Sequence, residues 1–176
     1  MFTTNDIVVY GAHGVCKIQG TEEKTLMGTP KQYLVLKSVI GRTSTFFVPT
    51  DNDVLLARIR NPLTKEKIDQ LIAAMAQVEA NWISDENERK ITYKNIITEG
   101  NHIELIKLIK AISFEKKERE ANGKRLHASD ERFLKDAETL LYGEFQYVLN
   151  LTHEQLQSYI ADRTENSGNE LSSQIC

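Results

Sequence analysis

The sequence predicts an α+β protein, with a small antiparallel β-barrel domain over residues 1–60 followed by an all-α helical bundle domain over residues 61–163. Three observations support this prediction. Short β-rich segments separated by glycines fill the first third of the chain. Apolar residues at helical spacing fill most of the remainder. From residue 164 the composition becomes polar, which predicts a disordered tail over residues 164–176.

The first domain is predicted from β-rich segments of five or six residues, about half of whose side chains are apolar. Glycines and Pro30 mark turns between the segments, one of them at Gly28, and Pro49 ends the last. Four to five strands of this length form a small barrel or a strongly bent sheet. The edge strand of such a sheet carries free N–H and C=O groups, which can accept a strand from a partner protein. The segments are residues 6–10, 15–20, a stretch around Thr25, 32–37 and 43–48.

The second domain is predicted from local helix-start and helix-stop signals. The first helix has apolar residues at i, i+3, i+4 and i+7 and is expected to end near Trp82. Gly100 ends the second helix, Asn122-Gly123 forms a turn, and a Thr-x-x-Gln capping box opens the last helix. The five predicted N-terminal residues are Thr64, Ser84, Asn101, Ser129 and Thr152.

Trp82 is the single tryptophan of the chain and lies where the first predicted helix gives way to a charged stretch. Two interpretations fit an amphipathic side chain at such a junction. The indole packs in the helical core with its N–H satisfied, as buried tryptophans usually do. Alternatively, it protrudes from the helices as a contact group for a partner.

The distribution of charge limits the partners. Residues 1–60 carry seven basic and five acidic residues, residues 61–125 carry twelve and eleven, and residues 126–176 carry three and nine. Strong sequence-independent DNA binding depends on many Lys and Arg residues that release counterions. Because this chain has a net charge of −3, any contact with nucleic acid is expected to be weak and local. The mixed charges of residues 115–120 are more typical of a solvated helix face.

No enzymatic or metal chemistry is predicted. His13 and Cys16 have an H-x-x-C spacing, but no second pair completes the four ligands of a structural zinc site. Cys16 and Cys176 are interpreted as free thiols. The sequence contains no phosphate-binding glycine motif and no Ser/His/Asp arrangement. We therefore expect no catalytic residues, no metal and no cofactor. Without an export signal or a long apolar segment, the protein is expected in the cytoplasm.

Several motifs taken in order resemble the CarD-like family of bacterial transcription factors. These are Asp6-x-Val-Val-Tyr-x-x-His-Gly14, the strand Gln32-Tyr-Leu-Val-Leu-Lys37, Phe47-Val-Pro49, Asn81-Trp82, and the stretch Gly123-Lys-x-Leu-x-x-Ser-Asp-Glu-Arg132-x-Leu-x-x-Ala-x-x-Leu-Leu141. The resemblance extends from residue 5 to about residue 160.

The resemblance implies a Tudor-like N-terminal domain that binds the β subunit of bacterial RNA polymerase, with Lys24, Thr45, Phe46, Phe47 and Val48 as contact residues. It also implies a helical domain that meets promoter DNA at the upstream edge of the melted region. Trp82 would enter the minor groove there as a wedge. The chain would then be a cytoplasmic regulator, associated with the nucleoid through polymerase.

Better-known relatives carry a basic pair directly after the tryptophan, whereas this chain has Ile83-Ser84-Asp85-Glu86 there. The remaining predicted DNA contacts are therefore basic residues further along the chain, Arg89, Lys90 and Lys94. Weaker DNA binding is expected as a result. Phe47 stands where relatives have an arginine ahead of Val-Pro, so a less electrostatic polymerase interface is expected. Two other hypotheses remain: a Tudor-like interaction module whose helices are only structural, and an enzyme.

Overall fold

The computed structural model describes residues 2–26, 29–41 and 43–172. The chain divides into two compact units, residues 1–62 and 63–176. The predicted α+β class is confirmed, with an antiparallel sheet in the first unit and helices in the second. Of the predicted turn Gly28-Thr29-Pro30, the last two residues are corrected, because they begin a strand over Thr29–Ser38. Gly28 and the predicted free thiol of Cys176 lie outside the described residues.

The first unit contains a five-stranded antiparallel sheet in the order β4-β3-β2-β1-β5. Two elements were not anticipated from the sequence: the helical turn α1, which Asn52 caps by accepting a hydrogen bond from the Leu55 N–H, and the short strand β5. The elements are β1 (Ile7–Tyr10), β2 (Val15–Leu26), β3 (Thr29–Ser38), β4 (Thr45–Pro49), α1 (Asp53–Leu56) and β5 (Ile59–Arg60).

Strand β2 corrects one sequence-based prediction. Residues 15–20 and the stretch around Thr25 form a single strand instead of two. Gly20 does not end the strand; the pairing with β3 shifts between Ile18 and Gly20, where Gly20 has φ of +133°. Only glycine adopts such a backbone angle without strain, so it permits a β-bulge that bends the strand while the ladder continues beyond it.

One face of the sheet forms the core of the first unit. The alternation of side chains along each strand brings apolar residues from all five strands to the same face. These core residues are Val8, Tyr10, Cys16, Ile18, Leu36, Val48 and Ile59.

The second unit contains five helices, and three of them begin at the predicted residues Thr64, Asn101 and Thr152. The predictions of Ser84 and Ser129 are corrected: Asp85 caps the second helix, and the helix expected from Ser129 begins at Ala128, after His127, which makes no side-chain cap hydrogen bond. Thr64, Asp85 and Asn101 each accept a hydrogen bond from a backbone N–H of the first turn, and the Thr152–Gln155 capping box is present in both directions. Gly100 ends the second helix in the left-handed conformation, as predicted. The helices are α2 (Lys65–Met75), α3 (Glu86–Glu99), α4 (His102–Ala121), α5 (Ala128–Leu149) and α6 (His153–Ser172).

Helix α2 ends at Met75, well before Trp82, where the sequence pattern had placed its end. The ammonium group of Lys110 on α4 donates hydrogen bonds to the carbonyl oxygens of Met75, at 2.8 Å, and Val78, at 2.6 Å. The carbonyl of Met75 is one of those that a helix end leaves without partners, and the carbonyl of Val78 belongs to the connection that follows. A distant lysine thus caps α2, and residues 76–85 form a non-helical connection that contains Trp82.

The prediction of a disordered tail from residue 164 is corrected, because α6 continues to Ser172. Asp69 of α2 anchors the middle of this helix, accepting a hydrogen bond from Tyr159 Oη at 2.6 Å and one from Arg163 Nε at 3.2 Å. Once a helix is nucleated and anchored, adding residues costs little. Residues 173–176 lie outside the described part of the chain.

The helical core is built around α4, whose apolar residues contact α2, α3 and α5. One buried polar group joins this core to the beginning of the unit. The carboxylate of Glu144 on α5, 2% exposed, accepts a hydrogen bond from the Leu63 N–H at 2.8 Å and lies 3.1 Å from His102 Nε2. The first residues of the helical unit are therefore held by α5.

Candidate functional site

Strand β4 is one edge of the sheet. Its residues pair with β3 from Tyr33↔Pro49 to Lys37↔Thr45, and among the described strands nothing pairs with its other side. An edge of this kind presents backbone N–H and C=O groups to solvent. Within the first unit, the predicted contact residues of β4 therefore lie at a place where a partner strand could be added.

The outer face of β4 carries Thr45 and Phe47, both exposed. Phe47 is 39% exposed, and the ammonium group of Lys24 on β2 lies 3.1 Å from the centre of its ring. Lys24 also lies 3.8 Å from Glu22. The structure therefore brings three of the predicted polymerase contacts together as a small surface of one aromatic ring, one cation and one hydroxyl group. We refer to Lys24, Thr45 and Phe47 as the outer β4 surface.

The inner face of β4 holds Phe46 and Val48 because successive side chains of a strand point to opposite faces. Val48 is 0% exposed, so its predicted role as a side-chain contact is corrected: it is a core residue that can offer only its backbone. Phe46 is partly buried and stacks on His13, with 4.2 Å between ring centres. Burial and the nearby charge of Arg58 lower the pKa of His13, which favours the neutral ring in this stack.

Trp82 lies in the connection between α2 and α3 and combines both interpretations made from the sequence. Its indole is partly buried and packs against the helical core. The guanidinium carbon of Arg89 on α3 lies 4.3 Å from the ring centre. Such a stack is a cation–π contact, which is strengthened when the partners are desolvated. The remaining exposed part of the indole is the only part that a partner could cover without rearrangement.

The structure buries Arg89 to 3% exposure, which leaves almost none of its side chain accessible for the DNA contact that the sequence suggested. Its Nε and Nη2 atoms each lie 3.0 Å from a carboxylate oxygen of Asp130, which is 0% exposed. Its Nη1 donates hydrogen bonds to the carbonyl oxygens of Ile83, at 2.8 Å, and Ser84, at 3.3 Å. Buried charges are tolerated when paired and bonded in this way, so the sequence-based role of Arg89 is replaced by a structural one.

Arg119 is a neighbour of Trp82 that the sequence analysis did not select. Its guanidinium carbon lies 5.9 Å from the centre of the indole ring, and its Nε bonds Glu115 at 2.6 Å. Sequence reasoning treated residues 115–120 as a solvated face, and no local pattern shows that the end of α4 reaches Trp82. Two guanidinium groups therefore lie beside the indole.

Lys90 and Lys94 lie on a different face of α3 from Arg89. With Arg132 they line a groove of about 660 Å³ between α3 and α5, over the apolar side chains of Ile97 and Phe133. Lys90 bonds Glu86 at 2.6 Å, and Lys94 is exposed. The structure thus separates the four predicted DNA contacts into the Trp82–Arg89 stack and a lysine-bearing groove.

Tyr93, one helical turn after Arg89, is 2% exposed, and its Oη has no hydrogen-bond partner among the described residues. Its ring meets Phe133 edge to face, with 5.9 Å between centres. Burial raises the pKa of Tyr93 to about 12. A buried hydroxyl without a partner costs free energy, so the core beneath Trp82 is less stable than its apolar packing alone would make it.

Other kinds of site find no support in the described part of the chain. Residues 2–26, 29–41 and 43–172 contain no group of three or more His, Cys, Asp or Glu side chains arranged to hold a metal ion. Over the same residues, no helix combines the length and the apolar character needed to cross a membrane.

Two comparisons with known proteins agree with the motifs noted in the sequence. Residues 2–60 match the family model of the CarD-like/TRCF RID domain. Across 166 residues the chain is 27% identical to the "Putative transcription factor YdeB" of Bacillus subtilis (strain 168), and the alignment covers 90% of this chain and 99% of that protein.

The resemblance to the CarD-like family is thereby confirmed. The name of the relative supports a role in transcription regulation, and the RID domain that residues 2–60 match is of the RNA polymerase-interacting type. Neither description names an enzyme.

Proposed function

We propose that this chain, whose first unit matches the CarD-like/TRCF RID domain, binds the β subunit of RNA polymerase and stabilises the promoter open complex. In this proposal the edge of β4 and the outer β4 surface contact polymerase. Trp82 and the lysines of α3 contact promoter DNA at the upstream edge of the melted region. The observation that carries the proposal is an exposed edge strand, with an exposed Phe47, in a domain of this family.

The polymerase contact is supported by the chemistry of β4. Addition of a partner strand uses main-chain hydrogen bonds for affinity and alternate side chains for specificity. Here the alternate side chains are Thr45 and Phe47, with Lys24 across the ring. Because the contact surface contains one cation and one large apolar group, its affinity should depend more on apolar burial than on salt.

The DNA contact is supported by the surroundings of Trp82. For an indole with about a quarter of its roughly 250 Å² still exposed, a partner can bury roughly 60 Å² more, which at about 25 cal/mol per Å² gives about 1.5 kcal/mol. Unstacking an intact base step costs a few kcal/mol, so this gain is too small to melt DNA. At the edge of an existing bubble most of that cost has already been met. Trp82 would then slow bubble collapse by about tenfold, because about 1.4 kcal/mol corresponds to a factor of ten.

The test is Trp82→Ala in a fluorescence assay of promoter opening with polymerase present. We expect open complexes to collapse about tenfold faster than with the parent protein, with polymerase binding unchanged. Tyr147→Ala is the matched control, since it removes another partly exposed aromatic ring, 38% exposed, from the same unit. A folded Trp82→Ala protein that binds polymerase and stabilises open complexes as well as the parent would falsify the DNA part of the proposal.

The lysines of the groove give a second test, on bare duplex. Binding should be no tighter than the roughly 10⁻⁴ to 10⁻⁶ M typical of non-specific binders, because the net charge opposes it. Lys90→Ala and Lys94→Ala should each reduce the salt dependence by about one lost phosphate contact. Arg125→Ala, at an exposed position outside the groove, serves as the comparison. Nanomolar binding to duplex DNA, or an unchanged salt slope in both lysine variants, would contradict this part.

A polymerase-binding module without functional DNA contact is the second candidate, and the partial burial of Trp82 in the helical core favours it. The two candidates differ in one outcome. If Trp82→Ala lowers the free energy of unfolding but leaves open complexes unaffected in the folded fraction, the interaction module is correct. Loss of open-complex stability in a protein of normal folding stability supports the wedge.

A further inference from the structure

We propose that Arg89 and Asp130 are positioning residues for Trp82: together they hold residues 82–84 in one conformation and fix the orientation of the indole. The effect on promoter opening rests on the proposed function. The effect on Trp82 itself does not, and it can be measured in the isolated protein.

The guanidinium group of Arg89 connects three parts of the helical unit. Its Nε and Nη2 atoms bind the two carboxylate oxygens of Asp130 on α5, each at 3.0 Å. Its Nη1 binds the backbone of the connection at Ile83 and Ser84. Its guanidinium carbon lies 4.3 Å from the centre of the Trp82 indole. One side chain of α3 thus links the indole, the backbone that follows it, and the beginning of α5.

Arginine and aspartate are residue types suited to this positioning role. A buried ion pair can often be replaced by apolar side chains without loss of stability, so its presence needs an explanation other than stability alone. A lysine could neutralise Asp130, but it has no planar fork with which to bind a carboxylate, donate to backbone carbonyls and stack on a ring at the same time. The arrangement around Arg89 uses all three properties.

Without the pair, Trp82 would lose its fixed orientation. Residues 76–85 are not helical, so no regular hydrogen-bonding pattern fixes Trp82. A side chain that is mobile before binding has to be ordered on binding, which reduces affinity. Holding the indole in advance avoids that loss. The pair is therefore expected to matter for how well Trp82 works and not for the charge presented to DNA, since Arg89 is buried.

The experiment uses the fact that Trp82 is the single tryptophan of the chain, so fluorescence excited at a wavelength that tyrosine does not absorb reports on it alone. Anisotropy and acrylamide quenching of Trp82 should be compared in the parent, Arg89→Lys and Asp130→Asn. Arg125→Lys makes the same chemical change at an exposed position and is the matched control. Loss of the stack should lower the ratio of the stacked to the unstacked state of the indole about fivefold. The variants should then show lower anisotropy and stronger quenching of Trp82. Unchanged anisotropy and quenching in both folded variants would overturn the proposal.

A double variant keeps the test valid if breaking the pair unfolds the protein. Arg89→Met with Asp130→Leu replaces both partners by apolar groups of similar size, a change that buried pairs often tolerate. It should fold with normal helical content but release Trp82. If the double variant is folded and holds Trp82 as firmly as the parent, the pair does not position the indole. If no variant of the pair folds, the pair serves the fold and the positioning role is refuted.

Promoter opening provides the functional readout. Arg89→Lys should shorten open-complex lifetime nearly as much as Trp82→Ala and should have little further effect in a Trp82→Ala background, because both changes remove the same contact. Additive effects would show that Arg89 acts independently of Trp82. If Trp82→Ala itself has no effect on open complexes, the proposed function fails, while the fluorescence result still decides whether the pair holds the indole.

Discussion

Replacement of Phe47 by alanine should weaken polymerase binding by an amount that follows from its exposure. Phe47 is 39% exposed, and a phenylalanine buries roughly 200 Å² when fully covered. About 80 Å² therefore remains to be buried by a partner. At about 25 cal/mol per Å² this corresponds to about 2 kcal/mol, or about a thirtyfold increase in Kd. The Lys24 ammonium group would lose its ring partner but remain exposed to solvent, so we expect the fold to be retained.

The assay is binding of the full chain to the isolated polymerase β subunit, measured by biolayer interferometry at two salt concentrations. Val54→Ala is the matched control because Val54 is apolar and even more exposed, at 70%, but lies on α1 instead of β4. General surface hydrophobicity would make Val54→Ala as damaging as Phe47→Ala. The β4 interface predicts a large effect for Phe47 only, with weak salt dependence.

Two results would refute this reasoning. If Phe47→Ala binds within about twofold of the parent, the ring is outside the interface, since such a change is well below the roughly 2 kcal/mol expected for its burial. If binding falls equally in both variants, the contact is not specific to the edge of β4. Thermal unfolding of each variant shows whether a loss of binding reflects a loss of fold.

Three further predictions concern buried titratable groups. Tyr93→Phe should raise the free energy of unfolding in urea by about 1 kcal/mol, because it removes a buried hydroxyl without a partner. Tyr147→Phe is the control at an exposed ring and should leave the free energy of unfolding unchanged. A Tyr93→Phe protein that is less stable than the parent would contradict the prediction. Burial raises the pKa of Tyr93 and of Tyr142 to about 12. Tyrosines of the unfolded chain ionise near pH 10, so the unfolded state releases these protons before the folded state does. The free energy of unfolding should therefore fall between about pH 10 and 12, by at most about 1.4 kcal/mol per pH unit for each tyrosine. Urea titrations across this range should show a shallower fall in Tyr93→Phe. Burial also raises the pKa of Cys16 to about 11. In a Cys176→Ser background, the Cys16 thiol should therefore react with a disulfide reagent at pH 8 only as fast as the protein unfolds. Immediate labelling would show that Cys16 on β2 is accessible in the folded protein.

The parts of the fold that were predictable from sequence depend on neighbouring residues. Asn101 and the Thr152–Gln155 pair act within one helical turn, and the structure confirms both. The end of α2 was predicted too late because its cap comes from Lys110 on another helix. Gly20 shows a different difficulty, since a glycine in a β pattern can mark either a turn or a bulge.

Among the predicted contact residues, too, only those whose burial depends on local structure could be assigned from the sequence. Strand alternation already separates Phe47 from Val48, so the burial of Val48 could have been inferred once the strand was placed. The burial of Arg89 could not, because its carboxylate partner Asp130 lies 41 residues further along the chain. A buried and an exposed arginine look the same in a charged helical segment, and only packing distinguishes them.

The bond from Leu63 to Glu144 has a practical consequence for dividing the chain. A helical fragment that begins at residue 65, the first residue of α2, lacks the Leu63 N–H that donates to this buried carboxylate. Loss of a hydrogen bond to a buried charged group costs about 1.5–3 kcal/mol, a large share of the 5–15 kcal/mol that stabilises a typical domain. A fragment that begins at residue 61 retains the donor. The first residue of the fragment would then decide whether the isolated helical unit stays folded, although the helices themselves are the same in both fragments.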